Sequence, residues 1–351
     1  MIQYTSGTTG VPKAAQMTHQ SLITSSKNSH VRWNITVNQR VCHGFPLFHI
    51  GGSACMTLGA AATGAVSLPL YIFKPDVTLD ILQNEKCSVF IGAPVLLTAM
   101  LEVPNFKEYD LSALKCLIVG GSNPPLELLK KFSDEFDADV INGYGMTESP
   151  MICQGSPQDN PEQLAHTEGK PVFGVEVTIV RPDGSACNPG EEGQVAVGGP
   201  QLFKGYKDPV LNNEAFDSLG RFLTGDLGVM REDGHVSLTG RVKDIIIRKG
   251  ENISAKEIED ILYTHQKVAA VAVVGLPDKE RGERVCAVVE LAEGSDPLEL
   301  EEMIEICESE GLMKQKIPEQ LINYDGLLPR NPTLKILKYQ LRDEISKIDW
   351  P

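Results

Sequence analysis

The eight cysteines of this 351-residue chain include no CxxC pair and no grouping with histidine at metal-ligand spacing. Cys42, Cys55, Cys87, Cys116, Cys153, Cys187, Cys286 and Cys307 stand singly, as suits reduced thiols in a cytosol-like compartment. Positive charge is also short: 32 Lys and Arg face 47 Asp and Glu, for a net charge of −15. Such a field repels nucleic acid and anionic membrane, which leaves room only for a local basic pocket. No basic segment followed by an apolar stretch opens the chain, so no cleaved signal peptide is expected and the expected location is the cytoplasm. Internal repeats and low-complexity tracts are absent.

One stretch lacks charge altogether. Val41 to Phe73 contains no Asp, Glu, Lys or Arg, which is long enough to span a bilayer. Its glycines (Gly51, Gly52, Gly59, Gly64) with Ser53, Thr57 and Pro69 make it only mildly apolar, and it reads as a buried strand, turn, helix and strand. No transmembrane segment is expected.

What is present is an alternation of strand and helix patterns. Val66 to Leu70, Ser88 to Ile91, Leu117 to Val119 and Val140 to Ile141 read as strands, with Leu126 to Phe136 as a helix behind the Asn123-Pro124-Pro125 start signal. This predicts an α/β large domain with a parallel-rich sheet. After about Gly169 the texture turns to strands (Val175 to Val180, Gln194 to Val197) and Gly/Pro/Asp turns, as in a small antiparallel or barrel-like unit. From residue 241, a capping box at Ser254 and Glu257, an Ile258, Ile261, Leu262 stripe and a Val268 to Val274 strand predict a smaller α+β C-terminal domain, giving domains 1–240 and 241–351.

The segment Tyr4 to Lys13, YTSGTTGVPK, places Thr5, Ser6, Thr8 and Thr9 with Gly7, Gly10 and Lys13 directly after a short apolar strand. Glycine-freed backbone amides, hydroxyls and a cation can wrap a polyphosphate. The spacing is not that of a P-loop. The string resembles the signature of the adenylate-forming (AMP-binding) superfamily, which comprises acyl-CoA synthetases, firefly-type luciferases and peptide-synthetase adenylation domains. Further segments carry the same resemblance. Asn142-Gly143-Tyr144-Gly145-Met146-Thr147-Glu148 is similar to a core motif in which Tyr144 would stack on adenine, Thr147 would meet the α-phosphate and Glu148 would hold Mg2+. Gly121 and Ser122 resemble the adenine-side segment, at the carboxyl end of a strand. Asp226 in Thr224-Gly225-Asp226 would accept from both ribose hydroxyls, and Arg241 would hold ribose or phosphate.

The resemblance implies an acyl-CoA synthetase, a carboxylate-CoA ligase using ATP, Mg2+ and coenzyme A. A carboxylic acid, fatty or alicyclic, would become an acyl-adenylate and then an acyl-CoA. Lys335 would bridge the carboxylate and the α-phosphate. The family domain would then rotate about Lys243 to present Gly250, Glu251 and Asn252. His49, in a PLFHIGG run, falls beside the implied acyl pocket.

Two departures matter. Leu334 stands where the family pattern has glycine before the lysine, and a positive φ is costly for leucine. Relatives carry a long part of the large domain ahead of the loop that opens this chain, so apolar surface is expected to need cover from a partner, another chain or a rebuilt edge. Alternatives are an adenylating enzyme that loads a carrier protein, and a truncated nucleotide-binding remnant without turnover.

Overall fold

The computed structural model describes residues 1–5, 12–120, 126–331 and 334–347. Among these the chain forms two compact units, the first comprising Met1–Thr224 and Gly228–Leu238, the second Gly225–Leu227 and the residues from Thr239 onward.

In the first unit, β1 (Ile2–Thr5) and β2 (Lys13–Gln16) make an antiparallel hairpin. A seven-stranded sheet then uses β3 (Arg40–His43), β4 (Val66–Pro69), β5 (Val89–Gly92), β6 (Cys116–Val119), β7 (Asp139–Met146), β8 (Ser149–Gln154) and β9 (Lys170–Pro171), in the order β4-β3-β5-β6-β7-β8-β9. Pairing is parallel from β4 through β7 and antiparallel beyond. The central strands are apolar on both faces because side chains alternate across a strand and both faces are covered. Val41, Ile91, Ile118 and Ile141 join one core, while Cys42, Phe90, Leu117 and Val140 join the other. The helix Leu126–Phe136 has the bounds its periodicity predicts, whereas Asn123 to Pro125 lie outside the described residues.

The charge-free segment folds as β3, a turn, a helix and β4. Its helix is π-wound over Gly51–Leu58 and α-helical over Gly59–Thr63. A Cβ on Gly52 would meet the Pro46 carbonyl at 2.3 Å, so only glycine permits this approach. No described helix is long and apolar enough to cross a membrane.

Strands β10 (Glu176–Val180), β11 (Glu192–Gly198), β12 (Phe222–Met230) and β13 (Val236–Arg241) follow as an open four-stranded sheet in that order. The second unit is built on β14 (Ile245–Arg248), β15 (Glu251–Ser254), β16 (Val268–Asp278), β17 (Gly282–Leu291) and β18 (Gln320–Asn323). Its order is β15-β14-β17-β16, with β18 parallel to β17. Val271, Val273 and Val285 share a core with the helices Ala255–Leu262 and Leu300–Ser309. Ala272, Cys286 and Val288 face Leu341 and Ile345 of the helix Lys338–Ile345. The predicted capping box is only half made. Ser254 accepts from the Glu257 amide, but the Glu257 carboxylate pairs with Lys316 at 2.7 Å instead of turning back.

Candidate active site

The β1–β2 pairing sets Thr5 opposite Lys13, so the hydroxyl-rich segment is the connection between two paired strands. Ser6, Gly7, Thr8, Thr9 and Gly10 lie outside the described residues, as do Gly121 and Ser122. Lys13 is half-buried and its Nζ stands 5.1 Å from the centroid of the Tyr206 ring.

Parallel register places Val119 beside Asn142, which brings Gly120 and the start of the Asn142 motif together at the carboxyl ends of β6 and β7. Asn142 is buried, and its Oδ1 has no hydrogen-bond partner among the described residues. A buried acceptor left open in this way suits an amino group such as that of adenine. Tyr144 is 7% exposed, packed within the core that also holds Met151 and Cys153. The register shifts between Tyr144 and Met146, a bulge that re-aims the strand end. A Cβ on Gly145 would lie 2.2 Å from the Pro150 carbonyl, which explains a glycine at the bulge. Because Met146 pairs with Ser149, Thr147 and Glu148 form the two-residue turn between β7 and β8.

Glu148 is buried, and its Oε1 accepts from the Tyr206 hydroxyl at 2.6 Å. Burial, and then the Glu148 charge, push the Tyr206 phenol pKa well up, so it remains a donor. No cluster of three or more His, Cys, Asp or Glu with metal-binding geometry occurs among the described residues. Glu148 could therefore offer a magnesium ion a single protein oxygen. That fits an ion that keeps waters and phosphate oxygens as its other ligands. His49 stacks on Phe45 at 5.9 Å, and its Nδ1 accepts from the Gly51 amide at 3.1 Å. Burial lowers its pKa, which leaves a neutral ring with its proton on Nε2.

The second unit gathers a charged cluster of its own. Asp226 is 4% exposed, and its Oδ1 is 2.9 Å from Arg241 Nε. Lys335 lies near both. It keeps exposed surface while protein crowds its ammonium: burial and then the Arg241 charge lower its pKa to about 8, against the opposing pull of Asp226 and Asp244. Water at the exposed surface tempers that shift.

Lys335 sits on a tight loop in which the Asn331 amide donates to Lys335 O at 2.9 Å and the Lys335 amide donates to Asn331 Oδ1 at 3.0 Å. Leu334 takes φ +65°, the conformation that glycine accepts freely. Below the loop, Glu290 accepts from the Leu328 amide at 2.8 Å and from Arg330 at 2.9 Å.

Lys243 is exposed in the turn after Arg241. Lys249 (φ 51°) and Gly250 (φ 85°) make the two-residue hairpin between β14 and β15, which leaves Gly250, Glu251 and Asn252 exposed together.

Tyr206 is a side chain at this site that motif reading missed: it contacts both Glu148 and Lys13. It follows Gly205 outside every motif singled out in the sequence, and chain pairing alone brings it to β2: Gln16 N donates to Gly205 O at 3.0 Å and Lys207 N to Ala14 O at 2.8 Å.

Residues 1–207 match the family described as AMP-binding enzyme, and residues 257–335 match the AMP-binding enzyme C-terminal domain. The chain is 37% identical, over 98% of its length, to the putative acyl-CoA synthetase YngI of Bacillus subtilis (strain 168), covering 63% of that protein. It is 35% identical, over 99% of its length, to the medium-chain fatty-acid–CoA ligase of Escherichia coli (strain K12), covering 61% of that protein. Its fold is similar to that of ATP-bound MatB from Rhodopseudomonas palustris, with TM-score 0.90 at 29% identity over 99% of this chain and 68% of that one. The o-succinylbenzoate CoA synthetase of Bacillus subtilis in complex with its acyl-adenylate gives TM-score 0.87 at 33% identity over 97% of this chain and 68% of that one. The chain thus spans about three fifths of the length of the curated relatives named here. With the β1–β2 hairpin, the Glu148 turn and the Asp226–Arg241–Lys335 cluster in place, these matches show that the chain belongs to the AMP-binding enzyme family.

Proposed function

We propose that this protein activates a carboxylic acid with ATP and passes the acyl group to coenzyme A. The observation that carries the proposal is the grouping of Asp226, Arg241 and Lys335 within one compact unit. In the first half, a carboxylate oxygen attacks the α-phosphorus and the bond to pyrophosphate breaks. In the second, the thiol sulfur attacks the acyl carbon, AMP leaves and the thiol proton passes to solvent.

Roles are assigned within each unit. In the first, Thr5, Ser6, Gly7, Thr8, Thr9, Gly10 and Lys13 hold the phosphates. Gly121, Ser122, Asn142, Gly143, Tyr144 and Gly145 hold adenine, and Thr147 donates to the α-phosphate. A magnesium ion, when bound at Glu148, would neutralise phosphate charge. His49 borders the acid. In the second unit, Asp226 and Arg241 hold ribose, and Lys335 supplies positive charge where carboxylate and phosphate meet. Gly250, Glu251 and Asn252 form the face for the thiol arm, with Lys243 as hinge of a C-terminal domain 241–351.

Relatives named for medium-chain fatty acids support an acid with an apolar tail. Small-molecule substrates follow from the same reading, and the cytoplasm is the proposed location. The exposed Ile2, Tyr4, Leu47 and Phe48 suit cover by a partner or a second copy. The test is a screen of acids graded in length and ring type, following acyl-CoA, AMP and pyrophosphate together. Equal release of all three with one acid class supports the ligase. Adenylate formation with transfer only to a carrier's pantetheine arm supports the carrier-loading reading. Nucleotide binding with no product from any acid supports a remnant without turnover.

A further inference from the structure

The Tyr206 side chain contacts two groups through different parts, its hydroxyl and its ring. Its hydroxyl donates to Glu148 Oε1 at 2.6 Å, and its ring lies 5.1 Å from Lys13 Nζ. One is the acid proposed to meet the metal; the other is the cation proposed to meet the phosphates.

The placement of this tyrosine is overdetermined. Its amide donates to Asn212 Oδ1 at 2.7 Å, and its carbonyl accepts from Asn212 Nδ2 at 3.1 Å. Gly205 before it takes φ +126°, and a Cβ there would meet Asn212 Oδ1 at 3.0 Å. The ring packs edge-on against Phe203 at 4.9 Å, and the Phe203 amide donates to the Glu148 carbonyl at 2.9 Å. The same segment pairs with β2 on both sides of Ala15, next to Lys13. Side chain and backbone therefore tie the β7–β8 turn and the phosphate-loop strand to one short stretch of chain.

We propose that Tyr206 is a positioning residue that couples Lys13 to Glu148, so that phosphate cation and metal carboxylate are held as one unit. The inference rests on the adenylating reading above. A neutral donor fixes one oxygen of a carboxylate without adding a compensating positive charge, which leaves the other oxygen for a cation. An arginine or lysine in place of the phenol would cancel the charge a cation needs.

The hydroxyl and the ring make separable predictions. Tyr206→Phe keeps the ring under Lys13 and removes only the donor to Glu148. It should raise the Mg2+ concentration for half-maximal pyrophosphate exchange by about ten-fold, the scale of one hydrogen bond to a charged group. The affinity for ATP in EDTA, read by equilibrium binding, should stay as in the wild type. Tyr206→Leu removes the ring too and should weaken metal-free ATP binding by about three-fold, the scale of a cation–π contact. In a Glu148→Gln background, Tyr206→Phe should shift the Mg2+ dependence of ATP binding no further, which separates coupling from a general loss of packing. A wild-type protein that binds ATP in a Mg2+-dependent way, with Tyr206→Phe identical to it, overturns the coupling and leaves the function standing. A wild-type protein that binds no ATP with or without Mg2+ overturns both.

Discussion

Glu148 in the first unit and Asp226 in the second are both buried carboxylates, yet they are held in opposite ways. Glu148 meets a neutral phenol and has no ion pair among the described residues. Asp226 meets the guanidinium of Arg241 at 2.9 Å. In the proposed function, the first arrangement would leave the carboxylate charge to an incoming cation, and the second would offset it beforehand with a guanidinium, as suits a group proposed to meet ribose hydroxyls. Neighbouring charge, more than depth of burial, would then separate the two proposed roles.

The sharpest way to strain that comparison is acid. Only the first unit contains the buried pair His30 and His43, each with its pKa lowered to about 4 by burial. The backbone of Phe45 opposes the shift at His43 but does not offset burial. In the unfolded chain these imidazoles titrate near the ordinary 6.5, so between pH 6.5 and 4 the unfolded state binds more protons. Their contribution is complete above pH 6.5 and is lost as pH falls toward 4, by up to about 3 kcal/mol for each imidazole. Hydrogen exchange should show the first unit opening before the second as pH drops. A second unit that opens first contradicts this account.

Removing charge at each carboxylate sharpens the contrast. Glu148→Gln should lower Mg2+-dependent pyrophosphate exchange by about 100-fold while leaving metal-free ATP binding intact. Asp226→Asn should weaken nucleotide binding by about ten-fold at every Mg2+ concentration, since a neutral amide loses the ion pair with Arg241 and accepts with one oxygen only. Equal Mg2+ sensitivity in the two variants would erase the distinction. The smallest effect is expected at Leu334→Gly. Relief of the φ +65° conformation is offset by glycine's extra unfolded-state freedom, so the melting free energy should change by less than about 1 kcal/mol.

Much of the fold is legible in the sequence because alternation is a backbone property. Val41 against Cys42 and Ile118 against Leu117 sort themselves to two faces wherever both are apolar. The Leu334 departure is legible for the same kind of reason, since the loop demands a positive φ whatever residue stands there. Tyr206 is not legible, because its partners Glu148 and Lys13 lie 58 and 193 residues away in the chain and only the pairing with β2 collects them. The half-made capping box has a similar cause. Lys316, distant in sequence, outcompetes the local amide for Glu257. Local chemistry can be read along the chain, but partners supplied by tertiary pairing cannot.

The most direct test is acid-dependent exchange of labelled pyrophosphate into ATP by the wild type and Lys335→Ala, with AMP binding measured on both. The account predicts exchange in the wild type, a loss of about 100-fold or more in Lys335→Ala, and AMP affinity unchanged within about three-fold. Full exchange by Lys335→Ala would contradict it, as would AMP binding with no exchange by the wild type for any acid.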